Sequence, residues 1–135
     1  MVRMHVDYRG ELRSEAVHEP SGSRIETDAP ADNEGLAARF SPTDLVGAAL
    51  GSCILTTMGI VARRRGWAME GARADVEKHI TTDPVRRIGK LVVRIAMPAG
   101  IPEDARAVLV RTAHTCPVHR SLHPDVELDI SFEWA

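Results

Sequence analysis

The sequence has 135 residues, 44% of them hydrophobic and 27% charged, and it fits a single globular domain spanning residues 1–135. The 17 basic and 19 acidic residues give a net charge of −2, which excludes the basic surface of a nucleic-acid-binding protein. Two cysteines are too few for a disulfide-stapled scaffold. Residues 1–7 lack the apolar core of a signal peptide, so we expect a cytoplasmic, reducing location, where cysteines serve chemistry more often than structural bridges.

The first third of the chain predicts three short strands in an antiparallel meander, followed by a loop. The strands cover residues 4–9, 11–18 and 24–27, with turn residues between them. Residues 28–39 combine Pro and Gly with no periodic pattern, which predicts a loop. Loops of this length in compact domains often carry function.

A long helix is predicted from Ser41 to about Arg65. Ser41 can cap it, Pro42 suits the first helical position, and Gly66 ends it. Residues 45–62 carry no charge, which is nearly the length of a membrane span. The many small residues and the absence of an aromatic belt favour instead a central helix buried in a domain or dimer, so we expect no membrane association.

The rest of the chain predicts a strand hairpin, a second helix, one further helical turn and a last strand. In chain order these cover residues 72–81 and 88–97, a helix from residue 102 that Pro117 ends, residues 118–122, and residues 126–134. The order βββ-α-ββ-α-β is typical of an α+β domain with largely antiparallel sheets.

Cys53 and Cys116 are the candidates for chemistry. Cys53 lies about three turns into the apolar helix, and Cys116 lies immediately before Pro117. Both could be small buried apolar residues, because their separation in the sequence is not diagnostic. Cys116 precedes the N-terminus of a short helix, whose backbone N–H groups stabilise a thiolate, whereas Cys53 would need a cationic partner.

A second pattern is formed by His114, Cys116, His119 and His123. The last two histidines are four residues apart and could bind a metal from one helix face. Pro117 interrupts the pattern and no paired C-x2-C accompanies it, so ordinary surface histidines are the alternative.

The two cysteine-containing stretches carry a resemblance. Ser-Pro-Thr-Asp-Leu-Val-Gly-Ala-Ala-Leu-Gly-Ser-Cys at 41–53 and Cys-Pro-Val at 116–118 resemble the two motifs of the OsmC/Ohr family. The resemblance implies the OsmC-like fold, with antiparallel sheets around a long buried central helix, and an intertwined homodimer. It also implies a cysteine-based peroxidase that reduces organic hydroperoxides under oxidative stress with an external dithiol reductant, and that needs no cofactor, metal, nucleic acid or membrane.

By the same resemblance, Cys53 is the peroxidatic cysteine and Cys116 is the resolving cysteine. Cys53 attacks the peroxide oxygen and becomes a sulfenic acid, which condenses with Cys116 to a disulfide. A guanidinium must then lie beside the Cys53 sulfur to favour the thiolate. Arg39, in the loop before the helix, is the candidate, and Arg24 and Arg3 are the alternatives.

The chain departs from the family pattern near both motifs. Thr43 stands where better-studied subgroups have the Glu that holds the catalytic arginine, which leaves Asp44 as the only nearby carboxylate. His119 stands where a small hydroxyl residue is common. These departures keep a second hypothesis open, in which a dimeric protein of this fold binds a small apolar ligand or senses oxidant without peroxidase turnover.

Overall fold

The computed structural model describes residues 1–135 and confirms the α+β prediction. A short 3-10 turn, Ala31–Asn33, interrupts the loop after the third strand. The elements are β1 (Met4–Gly10), β2 (Arg13–His18), β3 (Arg24–Asp28), α1 (Pro42–Arg65), β4 (Arg73–Thr81), β5 (Arg87–Met97), α2 (Glu103–Ala113), α3 (Pro117–Ser121) and β6 (Glu127–Trp134).

Residues 1–45 form one compact unit and residues 46–135 form another. In the first unit, β1, β2 and β3 make an antiparallel sheet in that order, as predicted. The loop after β3 folds back on the buried carboxylate of Asp28, whose Oδ2 accepts a hydrogen bond from the Ala38 N–H at 3.0 Å. A Cβ at Gly35 would overlap the carbonyl oxygen of Ala29, so glycine is required for this close approach.

The second unit contains a three-stranded sheet in the order β4-β5-β6. The predicted antiparallel hairpin of β4 and β5 is confirmed, but β6 pairs with β5 in parallel. The reason is the connection, because α2 and α3 carry the chain across between β5 and β6 and return it in the same direction. The sheet is therefore mixed, and its pairing is only partly the antiparallel arrangement expected from the sequence.

The core of the second unit is built from one face of β5 together with α1 and α2. Alternate β5 residues point into this core, and helical residues three or four positions apart meet them. The buried residues are Leu50, Ile54, Met58, Ala62, Leu91, Val93, Ile95, Met97, Ile101, Ala105, Leu109, Ala113 and Cys116. One of the two candidate cysteines is thus part of the hydrophobic core.

Both ends of α1 are fixed by local hydrogen bonds, and both were predicted. The Ser41 hydroxyl accepts from the Asp44 N–H at 3.1 Å, and the Asp44 carboxylate accepts from the Ser41 N–H at 2.9 Å, which is a reciprocal cap. At the other end, Gly66 has a φ of 75°, and the Trp67 N–H donates to the Ala62 carbonyl at 2.9 Å. This is the hydrogen-bonding pattern of a glycine helix stop.

The apolar helix α1 has two different faces. Its buried side is a stripe with helical spacing, formed by Gly47, Leu50, Gly51, Ile54, Met58 and Ala62. Its opposite side is small or apolar yet exposed in the single chain, and consists of Ala48, Ala49, Ser52, Thr56 and Ile60. By length and composition alone α1 could also cross a membrane, a test that the core helices of soluble proteins pass as well.

Candidate active site

Cys53 is half-buried about three turns into α1. Two residues earlier, α1 comes close to β4, because a Cβ at Gly51 would lie 2.9 Å from Cγ2 of Val76. This close packing of the helix on the sheet fixes the position of Cys53 relative to β4.

Cys116 caps the N-terminus of α3. Its backbone is extended, with φ −62° and ψ 139°, as expected for the residue before Pro117. Its side chain is fully buried, and its Sγ accepts a hydrogen bond from the His119 N–H at 3.2 Å. The predicted short helix after Cys116 is confirmed, whereas α2 ends at Ala113, three residues before Cys116.

The structure brings the two cysteines together as free thiols, each of which influences the pKa of the other. Two further groups act on Cys53. One is the backbone N–H of Val118 in the first turn of α3, and the other is the Thr57 hydroxyl, 3.9 Å from Sγ. The first turn of α3 therefore serves both cysteines, with the Val118 N–H acting on Cys53 and Cys116 and the His119 N–H acting on Cys116.

The two thiols have pKa values that move in opposite directions. Burial acts to raise the pKa of Cys53, but the hydrogen bonds from Val118, Cys116 and Thr57 outweigh it and leave the pKa lowered. Burial raises the pKa of Cys116, and the backbone N–H groups of His119 and Val118 offset this only in part. Cys53 is thus the thiol that ionises more readily.

The prediction that the N-terminus of α3 provides donors to Cys116 is confirmed, because the N–H groups of His119 and Val118 act to lower its pKa, although burial leaves that pKa raised. The prediction that Cys53 has no such terminus nearby was wrong. The Val118 N–H also acts on Cys53, from an element more than sixty residues away in the chain. Thr57 was also missed, although its position four residues after Cys53 on a predicted helix was a signal for it.

Arg39 lies in the N-terminal unit and pairs with Glu26 of β3, with Nε 3.0 Å from Oε2. Both side chains are about half exposed, at 52% and 58%. The prediction that Asp44 is the only nearby carboxylate was wrong, because Glu26 of β3 lies beside the loop and accepts a hydrogen bond from Arg39. Arg39 also lines a charged cavity of about 330 Å³ together with Arg9, Arg13, Ser14, Glu15, Glu26 and Thr27.

The alternative arginines and the histidines have other surroundings. Arg24 pairs with Glu15 at 2.6 Å in the N-terminal sheet. His114 and His119 form an edge-to-face ring pair with centroids 5.6 Å apart, and His123 lies beside Asp125 at 3.7 Å. The described residues contain no group of three His, Cys, Asp or Glu side chains that could hold a metal ion, so the zinc-like spacing is not assembled into a site.

The fold and the cysteine pair lead to comparison with known proteins. Residues 32–131 match the family pattern of OsmC-like proteins. The chain belongs to the OsmC-like family. None of the curated proteins compared with the chain matches it.

Several solved structures share the whole fold of this OsmC-like protein. A putative osmotic stress induced and detoxification response protein from Psychrobacter arcticus is 38% identical, with a TM-score of 0.92 over 98% of this chain and 96% of that one. An organic hydroperoxide resistance protein OsmC from Legionella pneumophila is 15% identical, with a TM-score of 0.79 over 98% and 96%. An organic hydroperoxide resistance protein from Elizabethkingia anophelis is 13% identical, with a TM-score of 0.79 over 100% and 96%.

Proposed function

We propose that this OsmC-like protein is a thiol-dependent peroxidase that reduces organic hydroperoxides. The supporting observation is the pair of neighbouring free thiols, in which Cys53 is the more exposed and has a lowered pKa, whereas Cys116 is fully buried and has a raised pKa. The Legionella and Elizabethkingia proteins of the same fold are named for organic hydroperoxide resistance, which is consistent with this chemistry.

The reaction starts at the Cys53 sulfur. Its thiolate attacks one oxygen of the hydroperoxide, the O–O bond breaks, and the leaving alkoxide takes up a proton and departs as an alcohol. Cys53 is then a sulfenic acid. Cys116 gives up its proton and attacks the Cys53 sulfur, which forms the disulfide and releases water.

An external dithiol closes the cycle. It reduces the Cys53–Cys116 disulfide to two thiols and is itself oxidised to a disulfide, so that one dithiol is consumed for each hydroperoxide. A reducing compartment such as the cytoplasm supplies that reductant. The role of Arg39 as the cation that favours the Cys53 thiolate stays a prediction from the sequence, and in the structure its guanidinium pairs with Glu26.

Peroxide consumption with two peroxides and two kinds of thiol tests this function. Cumene or tert-butyl hydroperoxide should be turned over many times with a dithiol, faster than hydrogen peroxide and faster than with a monothiol. A single oxidation per chain, with no turnover under any reductant, would favour the second hypothesis of an oxidant sensor or ligand-binding protein.

A homodimer is the second part of the proposal, and it rests on the exposed face of α1. That face carries Ala48, Ala49, Ser52, Thr56 and Ile60 and no charge, and soluble monomers rarely leave such a surface in water. A second copy related by a two-fold axis would cover it with the same face, in an interface above about 2,000 Å².

Sedimentation at low micromolar concentration tests the dimer. We expect twice the 14.8 kDa chain mass for the wild type and for Ile60→Val. Ile60→Glu should dissociate the dimer, because it places a charge in the apolar face. A stable, folded wild-type monomer would contradict this part of the proposal without affecting the chemistry of the cysteines.

A further inference from the structure

Thr57 lies on the same side of α1 as Cys53, because residues four apart in a helix are neighbours. Its Oγ1 is 3.9 Å from the Cys53 Sγ, and both side chains are half-buried. Threonine is branched at Cβ and is restricted to few rotamers in a helix, so its hydroxyl can occupy only a few positions.

A second helical threonine provides a contrast. The Thr112 hydroxyl in α2 donates to the backbone carbonyl of Val108, four residues earlier, at 2.8 Å. This is the usual bond of a threonine inside a helix. At Thr57 the residue four positions earlier is Cys53, and here the hydroxyl lies within range of the side-chain sulfur.

The chemistry of the sulfur decides which atom donates. A thiolate has no proton and only accepts hydrogen bonds, so the Thr57 hydroxyl must be the donor once Cys53 is ionised. The Val118 N–H of α3 supplies a second donor to the same sulfur. An ionised Cys53 is therefore held by a hydroxyl from its own helix and an amide from another.

We propose that Thr57 is a thiolate-stabilising residue of the Cys53 site, whose hydroxyl donates to the ionised sulfur and keeps it in one orientation for attack on the peroxide. The orientation of the attack rests on the proposed function. The hydrogen bond to the thiolate does not, and it can be measured without any peroxide.

The pH profile of Cys53 alkylation by iodoacetamide, followed by mass spectrometry of the peptide containing Cys53, tests the proposal. Thr57→Val keeps the shape of the side chain but removes the donor, so the profile should move to higher pH. The rate at neutral pH should fall about threefold to tenfold. Thr57→Ser restores the donor and should return the profile to that of the wild type. Thr112→Val is the control, because it removes a helical threonine hydroxyl that bonds to a backbone carbonyl and not to a thiol. It should leave the profile unchanged.

Two outcomes would overturn the proposal. In one, the Thr57→Val profile coincides with that of the wild type. In the other, Thr57→Ser behaves like Thr57→Val, which would make the effect one of packing. If Thr57→Val does not fold by circular dichroism, Thr57→Ala compared with Thr57→Ser asks the same question. A shifted profile in a protein without peroxidase turnover would support the hydrogen bond and refute the proposed function, so the two failures can be told apart.

Discussion

The middle of α1 and the cap of α3 each present one thiol, and the two surroundings differ in burial more than in hydrogen bonding. Cys53 is half-buried and is served by the Val118 N–H and the Thr57 hydroxyl, whereas Cys116 is fully buried and is served by the N–H groups of His119 and Val118. Both are served by the first turn of α3, yet only Cys53 has a lowered pKa. A helix N-terminus therefore makes an acidic thiol only where desolvation does not cancel its donors.

The largest expected effect is the difference between replacing Cys53, which should abolish the reaction with peroxide, and replacing Cys116, which should not. Cys53→Ser should lower the rate of a single turnover with cumene hydroperoxide by more than about a thousandfold, because the nucleophile is gone. Cys116→Ser should still form a sulfenic acid at Cys53 that a dimedone reagent traps. Equal single-turnover rates in the wild type and Cys53→Ser would end the assignment of Cys53 as nucleophile.

The packing of α1 beneath Cys53 gives the next effect. Gly51→Ala places a Cβ 2.9 Å from Cγ2 of Val76 and should lower the free energy of unfolding by about 1–3 kcal/mol, measured in urea. Gly47→Ala is the matched control, because its Cβ would meet the same valine at an ordinary 3.4 Å. In Gly47→Ala there is no close contact to offset the gain in helix propensity, so the free energy of unfolding should rise by up to about 1 kcal/mol. Equal losses in both variants would show that the contact with Val76 does not limit the approach of α1.

The opposite pKa shifts predict two separate titrations. In Cys116→Ser the remaining thiol is Cys53, and its alkylation should reach its plateau at lower pH than a free cysteine peptide, because the lowered pKa keeps the thiolate present as the pH falls. In Cys53→Ser the remaining Cys116 should titrate above the peptide. The midpoints are the quantity to compare, since burial slows the reagent itself. Equal midpoints for the two variants would contradict the opposite pKa shifts of Cys53 and Cys116.

Arg39 gives the smallest expected effect, because hydrogen bonds already lower the pKa of Cys53. Arg39→Ala should raise that pKa and slow alkylation at neutral pH by less than about tenfold. The thermal unfolding midpoint should hardly change, because exposed ion pairs such as Arg39–Glu26 contribute little to stability. Arg24→Ala removes a comparable exposed pair with Glu15 and is the control. A shift in Arg24→Ala alone would transfer the role to that residue.

Local signals predicted the ends of α1 and the positions of the strands. Ser41 and Gly66 act through hydrogen bonds to residues within five positions, so the sequence carries the whole signal. The parallel pairing of β6 could not be predicted from the sequence, because the direction of a strand depends on how the chain crosses over and not on the pattern within the strand.

The sequence identified the two cysteines of the candidate site but not the groups that act on Cys53 and Arg39. Cys53 and Cys116 were found through motifs that resemble a known family. The Val118 N–H has no signature in the sequence, since every residue except proline carries such a group. Glu26 was missed because its pairing with Arg39 needs the fold of the N-terminal sheet and loop. Contacts between distant parts of the chain, more than residue types, decide the acidity of a thiol.

The parallel strand β6 has a consequence for the order of folding. β4 and β5 are joined by a short connection and can pair early, but β5 must wait for the chain to pass through α2 and α3 before Lys90 meets Glu127. Contacts so distant in the chain form late, because the entropy of closing the loop must be paid first. Cys116 lies within that crossover, so the two thiols meet only in a nearly complete unit. During synthesis Cys53 leaves the ribosome long before Cys116, so we expect the two thiols to come together as one of the last events of folding.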